Sequence, residues 1–279
     1  MRDLEGKVAV VTGGASGIGR AMAAQFAADG MQVVIADVEA PALEATSGEL
    51  GVVGVQTDVG DAASVQALAD HVCDRFGTVH VLCNNAGVGG GGQIADLTLA
   101  DWKWVLDVNL WGVIHGLHSF LPRILANPDG GHVVNTASMA GLFASAGMGP
   151  YNATKFAVVA ISETLSKELQ AAGSSVGVSV LCPGFVRTNI FDSQRNRPDA
   201  LRNATKAVGD ARLRNDILKG FLETAMNPAE VALQVRDAIV EDRFWITTHP
   251  EFFTAVTQRA DDIVTGRNPI PSTFESQSD

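Results

Sequence analysis

Short runs of β-branched and aliphatic residues alternate with longer stretches of helical periodicity along most of the chain, and that alternation leaves few folds open. Residues 7–12 (KVAVVT) predict a strand, and 18–28 an alanine-rich helix stopped by Asp29-Gly30. Further strands are expected over 32–37, 52–56, 79–83, 132–136, 176–182 and 244–248. Helices are expected over 61–76, 101–126 and 151–172. Strands apolar on both faces and separated by helices belong in a parallel sheet covered on both sides. The expected fold class is therefore α/β, a doubly wound parallel sheet of about seven strands. No repeat or linker divides the chain, so residues 1–279 are read as a single domain.

Composition narrows the function classes. A formal net charge of -11 opposes nucleic acids and anionic membranes as partners. Cys73, Cys83 and Cys182 are scattered with no CxxC pair, which points to reduced thiols, no disulfide framework and no metal site. No stretch reaches the roughly 18 apolar residues of a membrane span, and Asp3 and Glu5 interrupt any leader-like run. A soluble cytoplasmic protein is expected.

The turn after the first strand reads Thr12-Gly13-Gly14-Ala15-Ser16-Gly17-Ile18-Gly19. Glycines at 13, 17 and 19 let the backbone approach a pyrophosphate, and the following helix aims its free N–H groups and positive dipole end at it. An acidic residue, Asp37, ends the next strand, near the separation required of a carboxylate that binds the adenosine ribose hydroxyls. Its charge repels a 2′-phosphate, and no Arg or Lys lies within Gly13–Gly19, so NAD is expected over NADP.

Tyr151-Asn152-Ala153-Thr154-Lys155 places a phenol and an ammonium four residues apart on one helix face. The ammonium, helped by an oxidised nicotinamide, is expected to lower the phenol pKa and make Tyr151 a general acid/base. Tyr151 is the single tyrosine of the chain, and Ser138 lies at the end of the strand before it.

Taken together these pieces resemble the short-chain dehydrogenase/reductase family. The matching segments are residues 12–19, Asp37, Asp58-Val59, Asn84-Asn85-Ala86-Gly87, Asn109, Ser138, residues 151–155, and Pro183-Gly184 with Thr188. The resemblance implies a Rossmann-type sheet and NAD(H)-dependent oxidoreduction of a secondary alcohol or ketone. It implies Asn109, Ser138, Tyr151 and Lys155 as the catalytic set. Tyr151 then transfers the proton, Ser138 binds the reacting oxygen, Lys155 binds the nicotinamide ribose and Asn109 holds a relay water. The implied cofactor contacts are Gly13, Ser16, Gly17, Ile18, Gly19, Asp37, Val38, Asp58, Val59, Asn85, Ala86, Gly87, Tyr151, Lys155, Pro183, Gly184, Val186 and Thr188. Many relatives carry a second serine where this chain has Thr136, so the catalytic hydroxyl is assigned to Ser138.

By the same resemblance a substrate flap is expected over about 189–226, and a tail over about 267–279. Residues 187–219 carry eight Lys/Arg (187, 195, 197, 202, 206, 212, 214, 219) against four Asp, which suits either a solvated face or an anionic substrate. Phe143, Met148, Phe185, Ile190, Phe191 and Phe221 offer an apolar wall for a medium-sized small molecule. His115 and His118 are read as solvated or helix-packing residues. Trp102, Trp104, Leu110, Trp111 and Leu117 on the long helix are expected to form part of a homodimer or homotetramer interface, and residues 244–250 with Phe252 and Phe253 line either the pocket or a second one. The rival readings are an NADP-linked carbonyl reductase, an epimerase or dehydratase, and a catalytically silent NAD-binding regulator; the complete Ser–Tyr–Lys–Asn set opposes the last.

Overall fold

A computed structural model of the chain describes residues 3–203 and 225–270. The first strand, β1 (Val8–Thr12), enters α1 (Gly17–Ala28) through the glycine-rich turn. Then come β2 (Gln32–Asp37), α2 (Ala40–Leu50), β3 (Val53–Gln56), α3 (Ala62–Phe76), β4 (Val81–Asn84), α4 (Leu99–Leu106) and α5 (Gly112–Leu125). The second half holds β5 (Gly131–Thr136), α6 (Gly149–Ala171), β6 (Val176–Cys182), α7 (Pro228–Glu241), β7 (Trp245–Thr247) and α8 (Phe253–Thr265). The seven strands form one sheet in the order β3-β2-β1-β4-β5-β6-β7, and every neighbouring pair is parallel.

Alternation along β1 shows how the sheet is covered. Ala9 and Val11 pack with Met22 and Phe26 of α1 and with Val231, Val235 and Ile239 of α7. Val8 and Val10 point the other way, into a core shared with Val65, Leu68 and Val72 of α3 and Phe120 and Ile124 of α5. Both faces are dry because successive side chains on a strand leave from opposite faces and each face meets helices. The helix ends follow local chemistry. Asp61 caps α3 by accepting from Ala63 N–H, Thr98 and Asp101 form a capping box on α4, and Asn227 caps α7.

Two sequence expectations need correction. The helix expected over 101–126 is interrupted: α4 and α5 are joined by a π turn over Asp107–Trp111. The turn widens where Asn109 points inward to bond the backbone of Val88, a tertiary contact that helical periodicity does not encode. Helices α2 and α8 occupy stretches where no element was predicted. Among the described residues no helix is long and apolar enough to cross a membrane.

The interface expectation is also corrected in part. Trp104 is buried within its own chain, where its ring carries the Arg197 guanidinium 5.3 Å from the centroid, so it is not available to a partner. Trp111, by contrast, stays exposed and stacks on His115.

His132 sits fully buried in β5, and its Nε2 is 2.7 Å from Ser179 Oγ. Ser179 donates its own proton to the Arg243 carbonyl, so the imidazole Nε2 is the donor. Burial pushes its pKa down to about 3. A histidine depressed in the folded state contributes stability above its unfolded value of about 6.5, and that stability is lost as pH falls toward about 3. Thermal midpoints of the wild type are expected to fall from pH 7.5 to 4.5, and His132→Gln to flatten that slope by up to about one proton's worth. An unchanged slope in the variant would remove His132 from the acid response.

Candidate active site

In a parallel sheet whose strand order reverses between β1 and β4, a crevice opens outside the carboxyl ends of those strands. The glycine-rich turn lies at that point. Gly13 has φ +64°, and a side chain there would strike Ala86 Cα at 2.8 Å; one at Gly19 would strike the Gly13 carbonyl at 2.1 Å. Ser16 occupies the N-cap of α1 without making a capping bond, and no acidic residue lies in the first turn. The first N–H groups of α1 are thus left for an anion. Gly17 follows directly, and Ile18 packs against the core.

The carboxylate of Asp37 accepts from Ala15 N–H and Glu39 N–H, each at 3.1 Å. Burial raises its pKa above the ordinary carboxylate value, while these backbone bonds pull the other way. Val38 beside it is exposed. Asp58 Oδ1 accepts from Gly60 N–H at 2.8 Å, and Val59 is buried with its carbonyl 2.9 Å from His115 Nδ1.

The Thr12 hydroxyl ties β1 to the loop after β4. It accepts from Asn85 N–H at 2.9 Å and Ala86 N–H at 3.0 Å, and donates to the Cys83 carbonyl. Asn85 in turn donates from Nδ2 to the Thr12 carbonyl and accepts from the Thr136 hydroxyl. Next in the chain, Gly87 has no side chain to stand between itself and the Asn109 and Lys155 head groups.

Tyr151, Ser138 and Lys155 converge beside this loop, all buried. Lys155 Nζ donates to the Thr136 carbonyl at 2.9 Å and lies 5.5 Å from the centre of the Tyr151 ring. Ser138 Oγ accepts from Ala140 N–H at 3.1 Å and donates to the Pro183 carbonyl at 3.3 Å. Burial holds the Lys155 ammonium down, to about 8. Burial also raises the Tyr151 phenol, partly offset by its hydrogen bond with Ser138. The lowering expected from Lys155 is therefore not delivered by the protein groups alone, because desolvation of the phenol outweighs its bond with Ser138.

Comparison with known proteins agrees with this geometry. The family model described as short chain dehydrogenase matches residues 7–199. The chain belongs to the short-chain dehydrogenase family. A short-chain dehydrogenase/reductase from Burkholderia phymatum, solved in complex with NAD, is 44% identical, with a TM-score of 0.96 over 99% of this chain and 100% of that one. A CLA biosynthesis dehydrogenase/reductase of Lactiplantibacillus plantarum is 32% identical over 96% of this chain and 97% of its own length. A 1-deoxy-11-beta-hydroxypentalenate dehydrogenase of Streptomyces avermitilis is 36% identical, over 93% and 91% respectively.

Within this family member, Pro183, Gly184, Val186 and Thr188 form the loop leaving β6. The Pro183 carbonyl accepts from Met139 N–H, Val186 bridges to Met226, and Thr188 lies against Gly17. Asn109 is fully buried, its Oδ1 accepting from Val88 N–H at 2.8 Å and its Nδ2 donating to the Val88 carbonyl at 2.9 Å. Its side chain thus fixes the loop after β4.

Three of the cations suggested for an anionic substrate are paired with acids: Arg195 with Glu39, Arg197 with Asp101 and Arg202 with Asp199. Lys206, Arg212, Arg214, Lys219, Phe221 and residues 271–279 of the expected tail lie outside the described residues. Phe143 and Phe185 both meet the Phe252 ring, at 5.9 Å between centroids, so the apolar wall includes the segment after β7.

Two structural contributors were not assigned from sequence. Thr12 was visible as the hydroxyl residue opening the glycine-rich turn, though its partners were not. His249 carried no local signal: its Nδ1 accepts from Gly184 N–H at 3.1 Å and its Nε2 lies 3.0 Å from the Phe185 carbonyl, 64 residues away in sequence. Replacing Thr12 with Val leaves the Asn85 and Ala86 N–H groups unpaired, at a cost of about 1–3 kcal/mol. Thr12→Val is expected to lower the thermal midpoint and weaken NADH binding while Thr12→Ser keeps both near wild type; equal behaviour of the two variants in calorimetry and fluorescence titration would refute the tie.

Proposed function

We propose that this oxidoreductase uses NAD(H) to interconvert a secondary alcohol and a ketone on a medium-sized, largely apolar small molecule, with Tyr151 as general acid/base. The observation that carries the reading is the buried Ser138–Tyr151–Lys155 cluster set beside a glycine cradle that ends at the Asp37 carboxylate. The cradle fits a dinucleotide: Gly13 and Gly19 let the turn close tightly on Ala86 and on itself, and the first turn of α1 is left uncapped for phosphates. Asp37, Val38, Asp58 and Val59 would hold the adenosine half; Asn85, Ala86 and Gly87 would line the middle. Tyr151, Lys155, Pro183, Gly184, Val186 and Thr188 would hold the nicotinamide half. The NAD-bound Burkholderia structure supports that choice of cofactor. The dehydrogenase acting on a hydroxypentalenate supports the substrate class.

When bound, the nicotinamide supplies or accepts the hydride. In the reducing direction Tyr151 Oη donates its proton to the carbonyl oxygen, and Ser138 Oγ turns from Pro183 to hydrogen-bond the same oxygen. In the oxidising direction Tyr151 takes the alcohol proton. Lys155, held by the Thr136 carbonyl, stands beside the phenol and stabilises the phenolate as charge develops. Asn109 keeps the loop after β4 in register with both. Phe143, Phe185 and Phe252 would supply the apolar wall for the substrate. The same reading takes the chain as a single-domain cytoplasmic enzyme acting as a homodimer or homotetramer.

Tyr151→Phe removes the proton donor and leaves the cradle intact. Turnover is expected to fall by roughly 10²–10⁴ while NADH affinity stays within about threefold of wild type. Retained turnover, or lost NADH binding in a folded variant, would overturn the assignment of Tyr151.

A further inference from the structure

Residues 188–197 cross the whole carboxyl edge of the sheet. The Thr188 methyl lies against Gly17 of the phosphate turn. Ser193 accepts from Gly89 N–H at 3.0 Å, after β4. Arg197 is buried and paired with Asp101 at 2.7 Å. Between these anchors the segment reaches the far end of β2. Arg195 donates to both oxygens of Glu39, from Nε at 3.2 Å and from Nη2 at 2.6 Å, and Asn196 Nδ2 donates to the same carboxylate at 2.7 Å. The remaining Arg195 nitrogen, Nη1, donates to the carbonyls of Asn189 and Asp192, so the guanidinium is fixed from behind.

Glu39 follows Asp37 by two residues, and its own N–H bonds the Asp37 carboxylate. The contact therefore lies at the ribose end of the cradle, where Val38, Glu39, Gln56, Arg195 and Asn196 line an open crevice of about 510 Å³. The segment thus touches both ends of the cradle, at Gly17 through Thr188 and at Glu39 through Arg195 and Asn196. The two anchors differ in kind. Arg197 and Asp101 are 4% and 16% exposed, a pair that is costly to part, whereas Arg195 and Glu39 are 30% and 27% exposed and open to water.

We propose that Glu39, Arg195 and Asn196 form a clasp over the adenosine end of the cofactor site, and that this clasp governs cofactor retention. The inference rests on the dinucleotide reading given above. Arg197 and Asp101 are the fixed end of the strap, and the Arg195–Glu39 pair is the end that parts when NAD(H) enters or leaves. Glu39 thereby has a second use: two residues along from Asp37, it occupies a guanidinium that would otherwise be free to attract a 2′-phosphate.

The test is the rate of NADH release from the binary complex, followed by stopped-flow fluorescence on displacement with excess NAD. Glu39→Gln and Arg195→Gln are each expected to release NADH roughly three- to tenfold faster, with the double variant no faster than either single one. Raising salt to about 0.5 M should speed release from the wild type and leave the variants nearly unchanged. Folding of each variant is checked by its thermal midpoint. Release within about twofold of wild type in both single variants, with NADH still bound, overturns the clasp. Failure of the wild type to bind NADH at all overturns the cofactor reading beneath it.

Discussion

Every part of the site depends on β1 and β4 being neighbours although they are far apart in sequence. A parallel sheet reverses its winding there, and the loops that follow the two strands must separate to either side. The Thr12 hydroxyl spans that gap with three hydrogen bonds, to Cys83, Asn85 and Ala86. It turns a topological feature into a rigid floor. On one side of it the glycine turn leads to α1 and Asp37; on the other, the loop carries Gly87 to Asn109 and Lys155. The backbone bonds of Asn109 to Val88, bought with a π turn in the neighbouring helix, lock the second side.

Burial sets the chemistry as much as charge does. Lys155 donates to the Thr136 carbonyl, and desolvation brings its ammonium down to about 8. Tyr151 is pushed the opposite way, so the isolated protein keeps the phenol protonated, the form that donates to a carbonyl. A cationic nicotinamide adds the opposing charge on the oxidising side of the reaction. Ser138, Tyr151 and Lys155 are all buried, so charges among them act over a lower dielectric than in water.

Much of this was legible because its signals are local. β2 and β6 appear with their expected limits, since strands buried on both faces are unbroken apolar runs. Asp37, Ser138, Tyr151 and Lys155 were found because each stands at a fixed offset from a glycine turn, a strand end or a helix start. What escaped is tertiary. The π turn at Asp107–Trp111 follows from a bond to Val88 that periodicity does not carry. α8 buries none of its residues completely, so its pattern is faint. Arg195 looked like one charge in a basic stretch, and its partner Glu39 lies 156 residues earlier. Trp104 looked like interface surface until Arg197 was found against it.

The account's central claim is that the carboxyl edge holds NAD(H) with Asp37 on the adenosine ribose. Parallel fluorescence titrations with NADH and NADPH, on the wild type and on Asp37→Ala, test it most directly. The account predicts NADH binding at least about tenfold tighter than NADPH, a difference of about 1.4 kcal/mol, narrowing in the variant. Equal or tighter NADPH binding by the wild type would contradict it.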